Sequence, residues 1–296
     1  LNRLFHLSDA EYPLPTGAPG HEVIGEVVAV RSTDGRLVDH PAGEALALLP
    51  AAENAMAEYV CVPTENVVPL PPDVAVERLL MGQQLGTVIY ALRKIPEAGH
   101  RTAVVIGQGS AGLFFDAMLR RRGVERLIAM DLVHDRLTAA RHFGATDVLD
   151  NSREDPLAFV RDATAGALVD LVVEASGDAG AINLAPKLVR PGGHLLFFGI
   201  PHEREFQFDF YSFFRAYCTT LSSGASSTAP NKSHTREALE HIATGQVDVT
   251  PMLTHRFSLE EVETAYHLAE QRADGIIKAV IEMPGLPKDL QRGNAP

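Results

Sequence analysis

Thirty residues, Thr102 to Asp131, restrict the fold of this chain more than any others: TAVVIGQGSAGLFFDAMLRRRGVERLIAMD. Thr102–Ile106 is a short apolar run rich in β-branched residues, which predicts one buried strand. Gly107, Gly109 and Gly112 then fit G-x-G-x-x-G. Leu113, Phe114, Ala117 and Met118 recur at helical spacing, so a helix opens at the turn. Gly123 suits the end of that helix. Leu127–Met130 is a second apolar run, closed by Asp131.

Each glycine has its own physical task. Gly107 permits the tight turn, Gly109 lets backbone approach a pyrophosphate, and Gly112 lets helix pack on strand. The helix N-terminus presents free N–H groups and a positive dipole end to phosphates. Asp131 lies 19 residues after Gly112 (131 minus 112), near the spacing at which a carboxylate accepts hydrogen bonds from a ribose diol. The unit therefore predicts dinucleotide binding, against the plainer reading of a glycine-rich structural turn. A carboxylate at 131 repels a 2′-phosphate, which favours NAD(H) over NADP(H).

The 296 residues are 46% hydrophobic and 22% charged, enough for two globular domains. A net charge of −12 argues against nucleic acid and anionic membrane as partners. No apolar run reaches the length of a membrane span, and no secretory signal is read. Two cysteines, Cys61 and Cys218, argue against a disulfide framework and for a reducing, cytoplasmic setting. They lie too far apart to predict a cysteine-rich structural zinc site. Alternation around Cys61 in AEYVCVP predicts a strand and a buried, inert thiol; Cys218 is read in the same way.

Along the chain, residues 1–20 are irregular. Strands are expected at Val23–Val30, Ala45–Leu49, Glu58–Val62 and Val67–Leu70, with Asp34-Gly35 as a hairpin signal. From Val76 the pattern turns helical up to Leu92. Beyond Asp131 strands and helices alternate: helix Arg136–Phe143, strand Val148-Leu149, helix Pro156–Thr164, strand Leu168–Glu174, helix Ala179–Val189 and strand His194–Gly199. Such alternation means a parallel sheet with right-handed crossovers. Phe206–Phe214 (FQFDFYSFF) reads as core or subunit interface, with a ligand-facing wall as the alternative. Thr219–Ser222 reads as one more strand and His234–Thr244 as a helix. Ser258 and Glu261 form a capping box for a helix over Leu259–Ala269, followed by a strand over Ile276–Ile281 and a loose tail from Pro284.

Taken in order, these motifs resemble the medium-chain dehydrogenase/reductase superfamily, its zinc-type alcohol and polyol dehydrogenases in particular. The resemblance rests on GHEVIGEVVAV (20–30), Gly43-Glu44, AEYVCVP (57–63), the glycine turn with Asp131, RLTAARHFGATDVLD (136–150), VVEASG (172–177), RPGGHLLFFGIP (190–201) and GIIKAVIE (275–282). It implies an α/β fold: a Rossmann doubly wound parallel sheet (83–223) inserted in a split GroES-like β domain (1–82 plus 224–296). The active site would lie in the cleft between them, and the chain would form a homo-oligomer. For NAD(H), the resemblance implies Gly107, Gly109, Gly112 and Asp131. It adds Ala175 and Gly177 at the end of one strand, Gly199 and Ile200 flanking the nicotinamide, and Lys278 near the pyrophosphate.

For catalysis the resemblance implies His21 and Glu22, with His6 at the spacing of a relay histidine. A Zn²⁺ held by three protein ligands would bind the alcohol oxygen and stabilise the alkoxide. His21 matches a ligand and Glu22 the acid beside it. Two departures follow. The upstream cysteine ligand falls at or just before Leu1, so the expectation is an N-terminally truncated β domain or a replacement by Leu1. The further ligand position carries Gln83, a neutral amide that binds Zn²⁺ poorly beside a carboxylate or thiolate. No C-x-x-C run lies between Gly43 and Tyr59, so a structural-zinc lobe is not expected. Three functions stay open: a zinc-type NAD-dependent alcohol or polyol dehydrogenase acting on a small alcohol or carbonyl, a zinc-independent reductase of the same superfamily, and a non-catalytic NAD-binding protein.

Overall fold

The computed structural model describes residues 17, 18, 20–38, 43–48, 55–97, 99–223 and 230–284. Within these, the chain divides into two units. One comprises 88–223 and 272–277; the other comprises the described residues before 88, then 230–271 and 278–284.

The second unit starts with antiparallel β structure. Strands β1 (Glu22–Glu26), β4 (Glu44–Leu48) and β5 (Val67–Pro69) form a sheet in the order β1-β4-β5. Between them β2 (Val30–Arg31) and β3 (Leu37–Val38) make a short hairpin. Gly35 takes φ +83° at its tip, where the Asp34-Gly35 signal requires a left-handed residue. The strand expected over Glu58–Val62 does not form, and Cys61 is exposed rather than buried. Alternation records a pattern of side chains, but a strand also needs a neighbour to take its backbone hydrogen bonds.

The helical stretch from Val76 is two helices, α1 (Val76–Leu80) and α2 (Gly82–Leu92), interrupted at Met81. Later in the chain, α8 (Ser233–Ala243), β12 (Leu253–Ser258), α9 (Val262–Gln271) and β13 (Lys278–Glu282) belong to the same unit. A Cβ on Gly82 would meet the Leu239 side chain at 2.6 Å, and one on Gly86 the Thr235 backbone at 3.0 Å. This small-residue face lets α8 lie close on α2. Ser258 and Glu261 form the expected capping box before α9, and β12 pairs β13 in parallel.

The other unit holds the doubly wound sheet. Its elements are β6 (Thr102–Ile106), α3 (Ser110–Arg121), β7 (Arg126–Asp131), α4 (His134–His142), β8 (Asp147–Asp150), α5 (Pro156–Ala163), β9 (Val169–Glu174), α6 (Ala179–Leu188), β10 (Val189–Phe197), α7 (Phe210–Arg215) and β11 (Thr219–Ser222). Six parallel strands run in the order β11-β10-β9-β6-β7-β8. The winding reverses between β6 and β9, and that reversal opens a crevice at the C-terminal ends of the strands. Val104, Ile106, Ile128, Met130, Leu149, Val172 and Leu195 are buried in its core, each side chain contributing about 1.5–3 kcal/mol.

The Phe-rich stretch is divided, with Phe213 packed partly buried against the core. Phe210, Tyr211 and Phe214 on α7, and Tyr217 after it, are exposed beside the edge strand β11. Cys218 packs partly buried against the core. No helix among the described residues is long and apolar enough to cross a membrane.

Asp116 breaks the apolar rule inside α3. It is wholly buried and neither carboxylate oxygen has a partner among the described residues. Burial pushes its carboxyl well above the ordinary range. Between the unfolded and folded values the native state binds the extra proton, so stability falls as pH rises from about 4. Asp116→Asn removes this dependence. Thermal denaturation should show the variant gaining on the wild type as pH increases above about 4.

Candidate functional site

The crevice is built around the turn 107–112. Gly107 has φ +93°, and its N–H donates to the Met130 carbonyl at 2.8 Å. A Cβ there would press on the Ser176 side chain at 2.8 Å. A Cβ on Gly112 would overlap the Gly107 carbonyl oxygen, so turn and helix touch backbone to backbone. Gly109 is the N-cap of α3 without a side-chain cap, and nothing lies within 4 Å of where its Cβ would be. Gly109 thus leaves room beside the start of α3, and the free N–H groups of a helix N-terminus suit an anion.

Asp131 closes the turn from the neighbouring strand. One oxygen accepts the Gln108 N–H at 2.6 Å and the other accepts the Val133 N–H at 2.9 Å. It is only 7% exposed. The carboxylate thus holds the loop in shape and keeps lone pairs for a further donor. Arg136 stands near it, in the first turn of α4. Burial lowers the Arg136 guanidinium, the Asp131 charge opposes that shift, and Arg272 adds to it. Arg136 Nη2 donates to the Ile276 carbonyl at 3.3 Å, while Nε is buried without a partner among the described residues. Sequence reading missed Arg136 as a site residue; its signal is a cation five positions beyond the acid.

On the other side of the reversal, β9 and β10 end in two turns that touch. A Cβ on Gly177 would overlap the Ile200 carbonyl, and one on Gly199 would overlap the Gly177 nitrogen. The Ala175 N–H donates to the Ile106 carbonyl at 2.9 Å, which joins this turn to β6. Glu174, also missed, lies beneath them. Its Oε1 accepts from Ser176 N at 2.8 Å, Ser176 Oγ at 2.5 Å and Gly177 N at 2.9 Å. Burial pushes its carboxyl up, against the pull of these three donors.

The remaining predicted residues belong to the other unit. His21 is half-buried just before β1, and Glu22 begins that strand. The Glu22 carboxylate forms an ion pair with the Lys278 ammonium, with both side chains largely buried. Lys278, expected at a pyrophosphate, is thus partnered by the very acid expected at a metal. Gln83 lies half-buried in the first turn of α2. His6 lies outside the described residues.

Zinc is the metal that the resemblance implies, and the described donors do not fit it. Glu22 is committed to a cation, Gln83 offers only a neutral amide, and His21 supplies one imidazole. Among the described residues no group of three His, Cys, Asp or Glu side chains gathers to hold an ion, where such a site takes three protein ligands.

With this geometry in hand, comparison with known proteins gives one consistent answer. A sequence profile described as Zinc-binding dehydrogenase matches residues 111–244. The chain is 31% identical over 212 residues to L-threonine 3-dehydrogenase of Bacillus subtilis (strain 168), covering 72% of this chain and 60% of that protein. It is 25% identical to sorbitol dehydrogenase of the same organism, covering 88% and 80%. In structure it is similar to the alcohol dehydrogenase TADH from Thermus sp. ATN1, with a TM-score of 0.76, 23% identity, and coverage of 94% and 89%.

Gly112 provides the direct test of the turn. Gly112→Ala must push the Gly107 carbonyl aside, and the expected loss of NADH affinity is about tenfold or more (~1.4 kcal/mol). Titration of NADH fluorescence reads it.

Proposed function

The chain belongs to the zinc-binding dehydrogenase family, and from that premise we propose that it is an NAD(H)-dependent oxidoreductase interconverting an alcohol or polyol and its carbonyl by hydride transfer. Members of the family bind NAD(P). The observation that carries the proposal is the glycine turn held by the Asp131 carboxylate at 2.6 Å from the Gln108 nitrogen.

In this reading the pyrophosphate rests on Gly109 and the N–H groups opening α3. Asp131 accepts from the adenosine ribose, with Arg136 beside it. The nicotinamide half lies toward Ala175, Gly177, Gly199 and Ile200, because the winding reverses between β6 and β9 and the two halves of a dinucleotide fall on opposite sides of the reversal. The Lys278 charge is largely spent on Glu22. When bound, NAD⁺ would supply the acceptor for a hydride from the alcohol carbon, with release of the hydroxyl proton. The products are a carbonyl, NADH and a proton. His21 is the candidate to take that proton, with His6 as a relay, since imidazole suits proton transfer near neutral pH. Exposed Phe210, Tyr211, Phe214 and Tyr217 beside the edge strand β11 support a homo-oligomer. The free thiols Cys61 and Cys218 agree with a cytoplasmic setting.

The Glu22–Lys278 pair and Gln83 together favour a second reading, a metal-independent reductase of the same superfamily acting on a quinone or an activated double bond. Chelator-insensitive NADH oxidation by a quinone, with no oxidation of any alcohol or polyol, would select it.

Two variants test the first reading. Asp131→Asn keeps an acceptor for the Gln108 N–H but removes the charge, so the ratio of NADPH to NADH affinity should rise about tenfold. His21→Ala should lower kcat/KM for alcohol oxidation by about a hundredfold with NADH affinity unchanged. Normal NADH binding with no turnover across a panel of alcohols, polyols and quinones would leave the non-catalytic role.

A further inference from the structure

Glu174 is wholly buried at the C-terminal end of β9, and it touches both turns that close this side of the crevice. Through its side chain it gathers three donors of the turn 175–177 onto one oxygen. Through its main-chain carbonyl it accepts from Phe198 N at 2.9 Å and Gly199 N at 3.0 Å, which starts the second turn. Its other oxygen, Oε2, is buried without a partner among the described residues, 2.8 Å from where a Cβ on Gly199 would stand. Three donors converging on one acceptor oxygen fix the turn through their geometry, and the carboxylate charge strengthens each bond. The main-chain bonds set the height of the second turn against the first, and the glycines at 177 and 199 let the two meet without side chains between them.

We propose that Glu174 is a positioning residue for the nicotinamide half of the dinucleotide: it locks the turns 175–177 and 198–200 into one surface without touching the cofactor. This rests on the dinucleotide reading of the crevice. It assigns to an internal acid what the glycine motif and Asp131 do for the adenosine half. The adenosine half is held by the turn 107–112 and Asp131, which share no side-chain hydrogen bond with Glu174. Loss of Glu174 therefore acts first on the turns 175–177 and 198–200, which meet the adenosine side where Gly107 packs on Ser176.

Titration of the full chain with NADH and, separately, with ADP divides the two halves. Glu174→Ala is expected to weaken NADH by about tenfold, the cost of releasing one charge-assisted anchor, and to leave ADP within about twofold. Glu174→Gln, which keeps one oxygen to accept the three donors, is expected to recover most of the NADH affinity. If the alanine variant does not fold, Glu174→Asp, one methylene too short to reach the turn, carries the same expectation as alanine. Equal weakening of NADH and ADP would make Glu174 a general support of the domain and overturn the proposal. Unchanged NADH binding in the alanine or aspartate variant would overturn it as well. Failure of the wild type to bind NADH, NADPH or ADP would instead remove the dinucleotide reading, and this inference with it.

Discussion

The hydrogen bond from the Gln108 N–H to the Asp131 carboxylate, at 2.6 Å, joins the first turn of the sheet unit to the end of the adjacent strand. A charged acceptor on a backbone N–H is stronger than a neutral one, and here it is buried, where screening is weak. It explains why Gly107 can hold its left-handed conformation and why Gly112 must be a glycine. With the turn pinned at both ends, the carbonyl of Gly107 comes down on the helix at residue 112. α3 then begins directly at Gly109, with no side-chain cap on its first N–H groups.

The same principle recurs on the other side of the winding reversal. Glu174 ends β9 as Asp131 ends β7, and each carboxylate is spent on the backbone of the turn beside it. Two buried acids at two strand ends make the rim of the crevice rigid before any ligand arrives. Preorganisation of this kind spares a ligand the cost of ordering the loops that hold it. Asp116, on α3, is the contrast: its carboxyl is buried with no donor among the described residues, and burial pushes it well above the ordinary range.

In the other unit, charge is distributed differently. Glu22 and Lys278 neutralise each other, a pairing between residues 256 positions apart (278 minus 22). Breaking such a pair leaves an uncompensated buried charge, so Glu22 is held to Lys278 rather than left available to a cation. Gln83 adds a donor without charge. This chain keeps the sequence frame of a zinc-type dehydrogenase while its described donors do not form the metal's ligand set.

The sheet unit was legible in the sequence because its signals are local. Apolar strand runs, a glycine turn and an acid at fixed spacing all sit within thirty residues, and a buried parallel strand needs only hydrophobicity and length. Alternation gave a parallel sheet with right-handed crossovers, while the order of its strands came from the structure. Pairings across the chain were not legible. Nothing in the neighbourhood of Cys61 says that no strand will partner it, and nothing around Lys278 says that its counter-ion is Glu22. Arg136 and Glu174 passed unnoticed because a lone charged residue in a helix or at a strand end looks solvated until burial is known. By itself the sequence indicated the family resemblance, the parallel sheet and the glycine turn, since these depend on periodicity and on backbone conformations that only glycine allows. Tertiary structure alone decided which charges are spent on one another, because an electrostatic partnership depends on distance and burial in space, and neither is written in sequence separation.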